Sequence, residues 1–105
     1  MANTTVIRPR ARLDVVELAS FIGEQSLQAS DHFLDACHTT FGFLEESPGI
    51  GSFYVTSESR LTGLRVLRIK GFPNHLVFYF ARPFGIEIVR VLHGARDLDL
   101  ALQNS

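Results

Sequence analysis

The run Leu76-Val77-Phe78-Tyr79-Phe80 is apolar at every position. A half-exposed strand alternates apolar and polar residues, so an unbroken run belongs to a central strand covered on both faces. Residues 75–81 are read as that strand. Gly71-Phe72-Pro73-Asn74 turns the chain into it, and Arg82-Pro83-Phe84-Gly85 turns the chain out again, with proline in a favoured turn position. On one side, residues 64–70 alternate, with Leu67 and Ile69 on one face and Val66, Arg68 and Lys70 on the other. On the other side, residues 86–93 make the last strand. It breaks at Gly94, and the following Ala95-Arg96-Asp97 reads as the entry to a short docked helix.

The N-terminal half has a different period. Residues 4–8 are a short β-branched strand ending at Pro9. A helix over 11–24 follows, its apolar set Ala11, Val15, Leu18, Ala19 and Ile22 at helical spacing, with Asp14, Glu17 and Glu24 on another face. A second helix over 27–46 has Ser30, Phe33, Leu34, Cys37, Phe41 and Leu44 as its inner stripe, and Gln28, Asp31, Asp35, His38 and Glu45 facing out. The short link between them makes an antiparallel hairpin. Residues 47–63 are a long Gly- and Ser-rich connection without clear structure, a kind of segment that is often mobile or functional. The order β-α-α-β-β-β predicts an α+β fold over residues 1–105 as one domain: a helical hairpin packed on a small antiparallel sheet, with a short C-terminal helix.

Composition narrows the function. Among 105 residues one cysteine excludes an internal disulfide, and no His/Cys spacing suits zinc, so no metal and no cofactor are expected. Gly49-Ile50-Gly51 has neither the preceding strand nor the following glycine of a phosphate loop. No apolar run is long enough to cross a bilayer, and the N-terminus lacks the regions of a signal peptide, so the expected compartment is the cytoplasm. Net charge is −1 but unevenly spread. Up to Ser59 there are three arginines against eight acids, and from Arg60 onward seven cations against three acids. This asymmetry suits a basic face toward an anionic partner, or mutual neutralisation of the two halves. A strongly basic nucleic-acid footprint is absent.

The segment Val89-Arg90-Val91-Leu92-His93-Gly94-Ala95-Arg96-Asp97 gathers two arginines and an imidazole at a strand end. Neighbouring cations favour the neutral form of His93, which could then move a proton or hydrogen-bond a backbone carbonyl. RNA cleavage by a 2′-hydroxyl needs a base, an acid and cations on the phosphorane. Arg68, Lys70, Arg90 and His93 are the residues that could supply them. Alternation sets Arg65 on the opposite face from Arg68 and Lys70, and such charged stems also commonly just cover sheet edges. His32, His38 and His75 read as structural or surface residues, Asp97 and Asp99 as caps of the terminal helix, and Cys37 as core. Phe53, Tyr54, Phe72 and Phe84 fall in loops or turns, as partner anchors or core filling. Leu13, Val16, Phe21 and Leu27 lie off the inner stripes and make a candidate apolar strip along the hairpin.

Several segments carry a family resemblance. Arg8-Pro9-Arg10-Ala11-Arg12-Leu13-Asp14 with Val15-Val16-Glu17-Leu18 resembles the first-helix opening of the ParE branch of the RelE/ParE toxins. Residues 29–44 are similar to its second helix, which ends in the Glu46-Ser47-Pro48-Gly49-Ile50-Gly51 turn. Gly63-Leu64-Arg65-Val66 and Leu76-Val77-Phe78-Tyr79 look like its central hairpin, and the closing VRVLHGARD is the most specific piece. The resemblance implies the toxin of a type II toxin–antitoxin pair, held by a cognate antitoxin that reaches DNA on its own account. ParE-type members are associated with inhibition of DNA gyrase, and RelE-type relatives with cleavage of mRNA on the ribosome. A third possibility is a non-toxic relic that still binds antitoxin. Candidate contacts for target or antitoxin are Leu13, Val16, Phe21, Arg65, Arg90, His93 and Arg96.

Overall fold

The structure, a computed structural model, describes residues 3–103. Strand β1 (Thr4–Ile7) leads into helix α1 (Pro9–Gly23), which starts two residues earlier than expected. Pro9 explains the start: at the first helical position its fixed φ suits the helix, and its missing N–H would have no partner anyway. Helix α2 (Leu27–Glu46) has the expected limits. Its N-cap Ser26 accepts a hydrogen bond from the Ala29 amide at 3.1 Å.

The connection after α2 is more ordered than its composition suggests. It contains strand β2 (Ser52–Phe53) and a single 3-10 turn over Ser59–Leu61. Strands β3 (Arg65–Ile69), β4 (Phe72–Arg82) and β5 (Gly85–His93) follow, then helix α3 (Leu98–Leu102). The turn into β4 is therefore tighter than the expected residues 71–74. Gly71 takes it at φ +84, and Phe72 already pairs with Ile69.

The sheet has five strands in the order β1-β5-β4-β3-β2. All neighbours run antiparallel except β1, which pairs with β5 in parallel, Thr4 opposite Gly85 through Ile7 opposite Ile88. The sheet is thus mixed rather than wholly antiparallel. The reason is topological: the hairpin returns the chain to the far end of the sheet, so the last strand arrives beside the first with the same direction.

Both faces of the sheet are covered, as the apolar run in β4 requires. On one face Val77, Tyr79, Ile86 and Ile88 pack against Phe33, Cys37 and Leu44 of α2 and Ala11 and Ala19 of α1. On the other, Phe78, Phe80, Val89 and Leu92 pack against Leu61, Leu64 and the α3 residues Ala101 and Leu102. Each fully buried side chain of this size contributes roughly 1.5–3 kcal/mol. Cys37 lies in the first core, where burial pushes its thiol pKa up to about 12. Leu34, expected inside, is exposed, and Thr40 takes an inward place instead.

Polar contacts tie the periphery down. The Tyr79 hydroxyl donates to the Pro48 carbonyl and accepts the Gly51 amide, both at 2.8 Å, which fixes the exit from α2 over the sheet. Burial alone would raise the Glu87 carboxyl, but hydrogen bonds from Arg8 and Arg82 outweigh it and hold its pKa below the usual range.

Gly85 carries the parallel pair. Its φ is +140, and a Cβ there would meet the Thr4 carbonyl oxygen at 2.1 Å. Gly85→Ala is expected to cost about 2–3 kcal/mol by backbone strain and loss of the β1 pairing. Urea denaturation measures the loss, and the Thr4–Ile7 amides should lose exchange protection first.

Candidate functional site

The C-terminal signature is positioned by an irregularity in β5. Phe78 lies opposite Arg90, but the next residue, Tyr79, lies opposite Ile88, so Val89 is an extra residue in the ladder. Such a bulge resets the alternation of side chains. Ile88 and Val91 consequently both join the helix-side core, while Val89 and Leu92 join the other. Arg90, in register with Phe78, falls where its guanidinium bridges two helices.

That guanidinium is enclosed. Its Nε and Nη2 donate to Asp14 Oδ2 and Oδ1 at 2.6 and 2.9 Å, and Nη1 donates to the Ala101 carbonyl at 2.7 Å. The side chains of Arg90 and Asp14 are only 4% and 3% exposed. Asp14 Oδ2 also accepts the Val91 amide at 3.1 Å, and Arg10 approaches Oδ1 at 3.2 Å. Because β1 covers β5 only as far as Ile88, the carboxylate takes a backbone donor that no strand reaches. Arg90 is therefore an interior residue joining α1, β5 and α3. Asp14 is the residue that the sequence reading misplaced on an outer face. Its signal was available: it stands three residues after Ala11 and four before Leu18, in the inward register of α1.

His93 lies elsewhere. It is directly opposite His75, with ring centroids 5.0 Å apart. Its Nδ1 accepts the Ala95 amide at 3.0 Å, so its backbone partner is an N–H rather than the expected carbonyl. His75 meets Phe33 and Phe72 edge-on, and burial followed by the facing His93 lowers its pKa below 6.5. Asp97 caps α3 as expected, accepting the Leu100 amide at 3.1 Å. Asp99 instead accepts the Tyr54 hydroxyl, a contact that, after burial, helps push the phenol to about 12. Arg60 donates to the carbonyls of Leu102 and Gln103.

The other cations separate as well. Arg65 donates to the Gly49 and Gly51 carbonyls at 3.1 and 2.7 Å and stacks over Phe53 at 4.0 Å, where it holds a loop. Arg68 and Lys70 are exposed and share a groove of about 320 Å³ with Thr39, Thr40 and Phe43 of α2. Arg96 is exposed beside Arg10, lining cavities on both sides of the Asp14–Arg90 pair. The four residues of the nuclease reading thus fall into three places: Arg68 with Lys70, Arg90 inside, and His93 on His75.

The apolar candidates do reach the surface. Leu13 and Val16 are 49% and 58% exposed, and with Ile7, Pro9 and Arg12 they line a shallow groove of about 350 Å³. Phe21 and Leu27 are 70% and 78% exposed near the bend of the hairpin. Among the described residues no cluster of three or more His, Cys, Asp or Glu is arranged to hold a metal ion. No helix among them is long and apolar enough to cross a membrane.

Two outcomes follow from this geometry. Asp14→Ala leaves the Arg90 guanidinium buried without its counter-ion and is expected to cost about 3–5 kcal/mol, whereas Asp14→Leu with Arg90→Met should recover most of that loss. Urea denaturation of the three proteins distinguishes them. His75 favours its neutral form in the fold, so the unfolded chain binds the proton more readily. Stability should then decline as pH falls below about 6.5, the ordinary histidine value, toward the lowered folded value. His75→Phe should flatten that part of the stability–pH curve.

No curated protein matches this sequence. The family model described as the ParE toxin of the type II toxin-antitoxin system, parDE, matches residues 6–98. That span runs from β1 through the VRVLHGARD segment to the first residue of α3, and so takes in the hairpin, the sheet and the Asp14–Arg90 pair. The chain belongs to the ParE toxin family of type II toxin–antitoxin systems.

Proposed function

We propose that this toxin acts in the cytoplasm by binding a protein, with DNA gyrase as its target, and that a cognate antitoxin neutralises it. The observation that carries this reading is the dispersal of Arg68, Lys70, Arg90 and His93. In-line attack on a phosphodiester needs proton-transfer groups and cations around one phosphorus atom. Here one of the cations is neutralised by a buried carboxylate and the imidazole is tied to Ala95. The near-neutral net charge also suits a protein surface better than ribosomal RNA.

A binding toxin needs an exposed apolar face, and the α1 ridge of Leu13 and Val16 supplies one. Its rim carries Arg12, and Phe21 and Leu27 extend the apolar surface near the bend. Antitoxin and target competing for such a face would explain neutralisation by simple occlusion.

The deciding measurement is supercoiling by purified gyrase across a titration of the toxin. Inhibition, relieved by added antitoxin, is expected. Undiminished supercoiling at saturating toxin removes gyrase as the target, and new mRNA ends after induction would favour the ribonuclease reading. Leu13→Glu with Val16→Glu should leave stability within about 0.5 kcal/mol of the parent, because both side chains face solvent. Inhibition or antitoxin binding should fall at least tenfold, read by supercoiling and by calorimetry.

A further inference from the structure

Strand β1 forms one side of the sheet, with β5 on its inner side. The Thr4 amide donates to the Phe84 carbonyl at 2.8 Å, and the Arg8 amide to the Ile88 carbonyl at 3.0 Å. Bonding residues alternate along an edge strand, so Thr4, Val6 and Arg8 turn their backbone groups toward β5. Thr5 and Ile7 turn theirs outward, where no strand meets them among the described residues.

This edge lacks the usual protections against pairing. Thr4-Thr5-Val6-Ile7 is β-branched throughout, carries no charge and no proline, and pairs with β5 without a register shift. The opposite side of the sheet is guarded by Arg68 and Lys70 and by a register shift between Arg68 and Ile69. Thr5 and Ile7 face the helices. The Thr5 hydroxyl donates to the Glu45 carboxylate of α2, and Ile7 packs on the core and borders the groove of Pro9, Arg12, Leu13 and Val16. Arg12 is exposed there and makes no ion pair among the described residues. Val6 points to the other face and is 43% exposed.

We propose that β1 pairs antiparallel with β1 of a second copy of this chain, Val6 against Val6, joining two sheets into one. Backbone and charge together select this register. With Val6 on the two-fold axis, Thr5 lies opposite the partner copy's Ile7, and both outward residues find backbone bonds. Thr5 brings Glu45 with it and the partner copy's Ile7 brings Arg12, so an exposed arginine of each copy meets a carboxylate of the other. On the far face the two Val6 side chains meet as the closer, non-hydrogen-bonded kind of pair. The neighbouring registers are worse. Thr5 against Thr5 would set the two Glu45 carboxylates together, and Ile7 against Ile7 would set Pro9, which has no N–H, opposite Thr5. A strand of foreign sequence would gain the backbone bonds but not the reciprocal Glu45–Arg12 contacts, which need the same surface on both sides. The contact is small, so monomer and dimer should exchange with concentration.

Sedimentation of the full chain over a concentration series, with hydrogen exchange at its two ends, tests the proposal. A reversible dimer is expected, in which the Thr5 and Ile7 amides gain protection as it forms. The Arg8 amide, which donates to β5, should be protected throughout and reports that β1 stays docked. Val6→Lys and Val6→Glu should each raise the dimer dissociation constant roughly tenfold or more, because like charges then meet across the axis. An equimolar mixture of the two variants should recover the dimer, because opposite charges then meet. A chain that stays monomeric at millimolar concentration overturns the proposal. So does a dimer untouched by either variant, a mixture that does not recover, or a dimer in which Thr5 and Ile7 still exchange freely. Protection of Thr5 and Ile7 that appears only when purified cognate antitoxin is added assigns the edge to that partner and overturns it too.

Discussion

The Asp14–Arg90 pair is the contact on which the arrangement of the remaining elements depends. One carboxylate receives a guanidinium and a strand amide, and the same guanidinium holds a carbonyl of the last helix. Burying such a pair is not in itself a large source of stability, since desolvation offsets most of the attraction. Its effect is on geometry. Apolar contacts would tolerate some sliding of α1 along the sheet, whereas a bidentate bond of 2.6 and 2.9 Å does not. The pair therefore fixes the ridge of Leu13 and Val16, which lies on the same helix, relative to the sheet and the C-terminal corner.

The pattern of the sequence made the hairpin, the central strand and the α3 cap legible, because each rests on local rules: helical spacing, an unbroken apolar run, a capping aspartate. The mixed sheet, β2 and the bulge at Val89 were not legible in the same way. They arise from contacts between distant residues, and a one-residue bulge inverts the inward and outward sets that alternation predicts beyond it. With that inversion Arg90 moved from a presumed basic patch to the interior. Asp14 is an intermediate case. Its helical register pointed inward, but its charge argued for solvent, and only a partner from the far end of the chain resolves that conflict.

The charge asymmetry of the sequence also acquires a physical meaning. Most arginines of the basic half hold loops, helix ends or carboxylates: Arg65 the turn after α2, Arg60 the end of α3, Arg82 the Glu87 carboxylate. Those left at the surface are few and localised, Arg68 with Lys70 at one sheet edge and Arg96 beside Arg10 in a separate cavity. A small toxin of this family consequently offers separate faces, one apolar on α1 and one cationic on β3. A partner that wraps around it can engage both, whereas a compact target meets one at a time.

The wiring of the first strand has a consequence for how the protein comes into being. Among the described residues strand β1 pairs with no strand but β5, and Asp14 meets the Arg90 guanidinium 76 residues further along. An unfinished chain emerging from the ribosome has nothing for its N-terminal segment to dock against, and its first-made carboxylate stays in water. Closing contacts of such separation come late, because they require a large loop to be ordered at once. The completed fold accordingly waits for β5, and a chain interrupted before that strand leaves β1 without the strand it pairs with and Asp14 without Arg90.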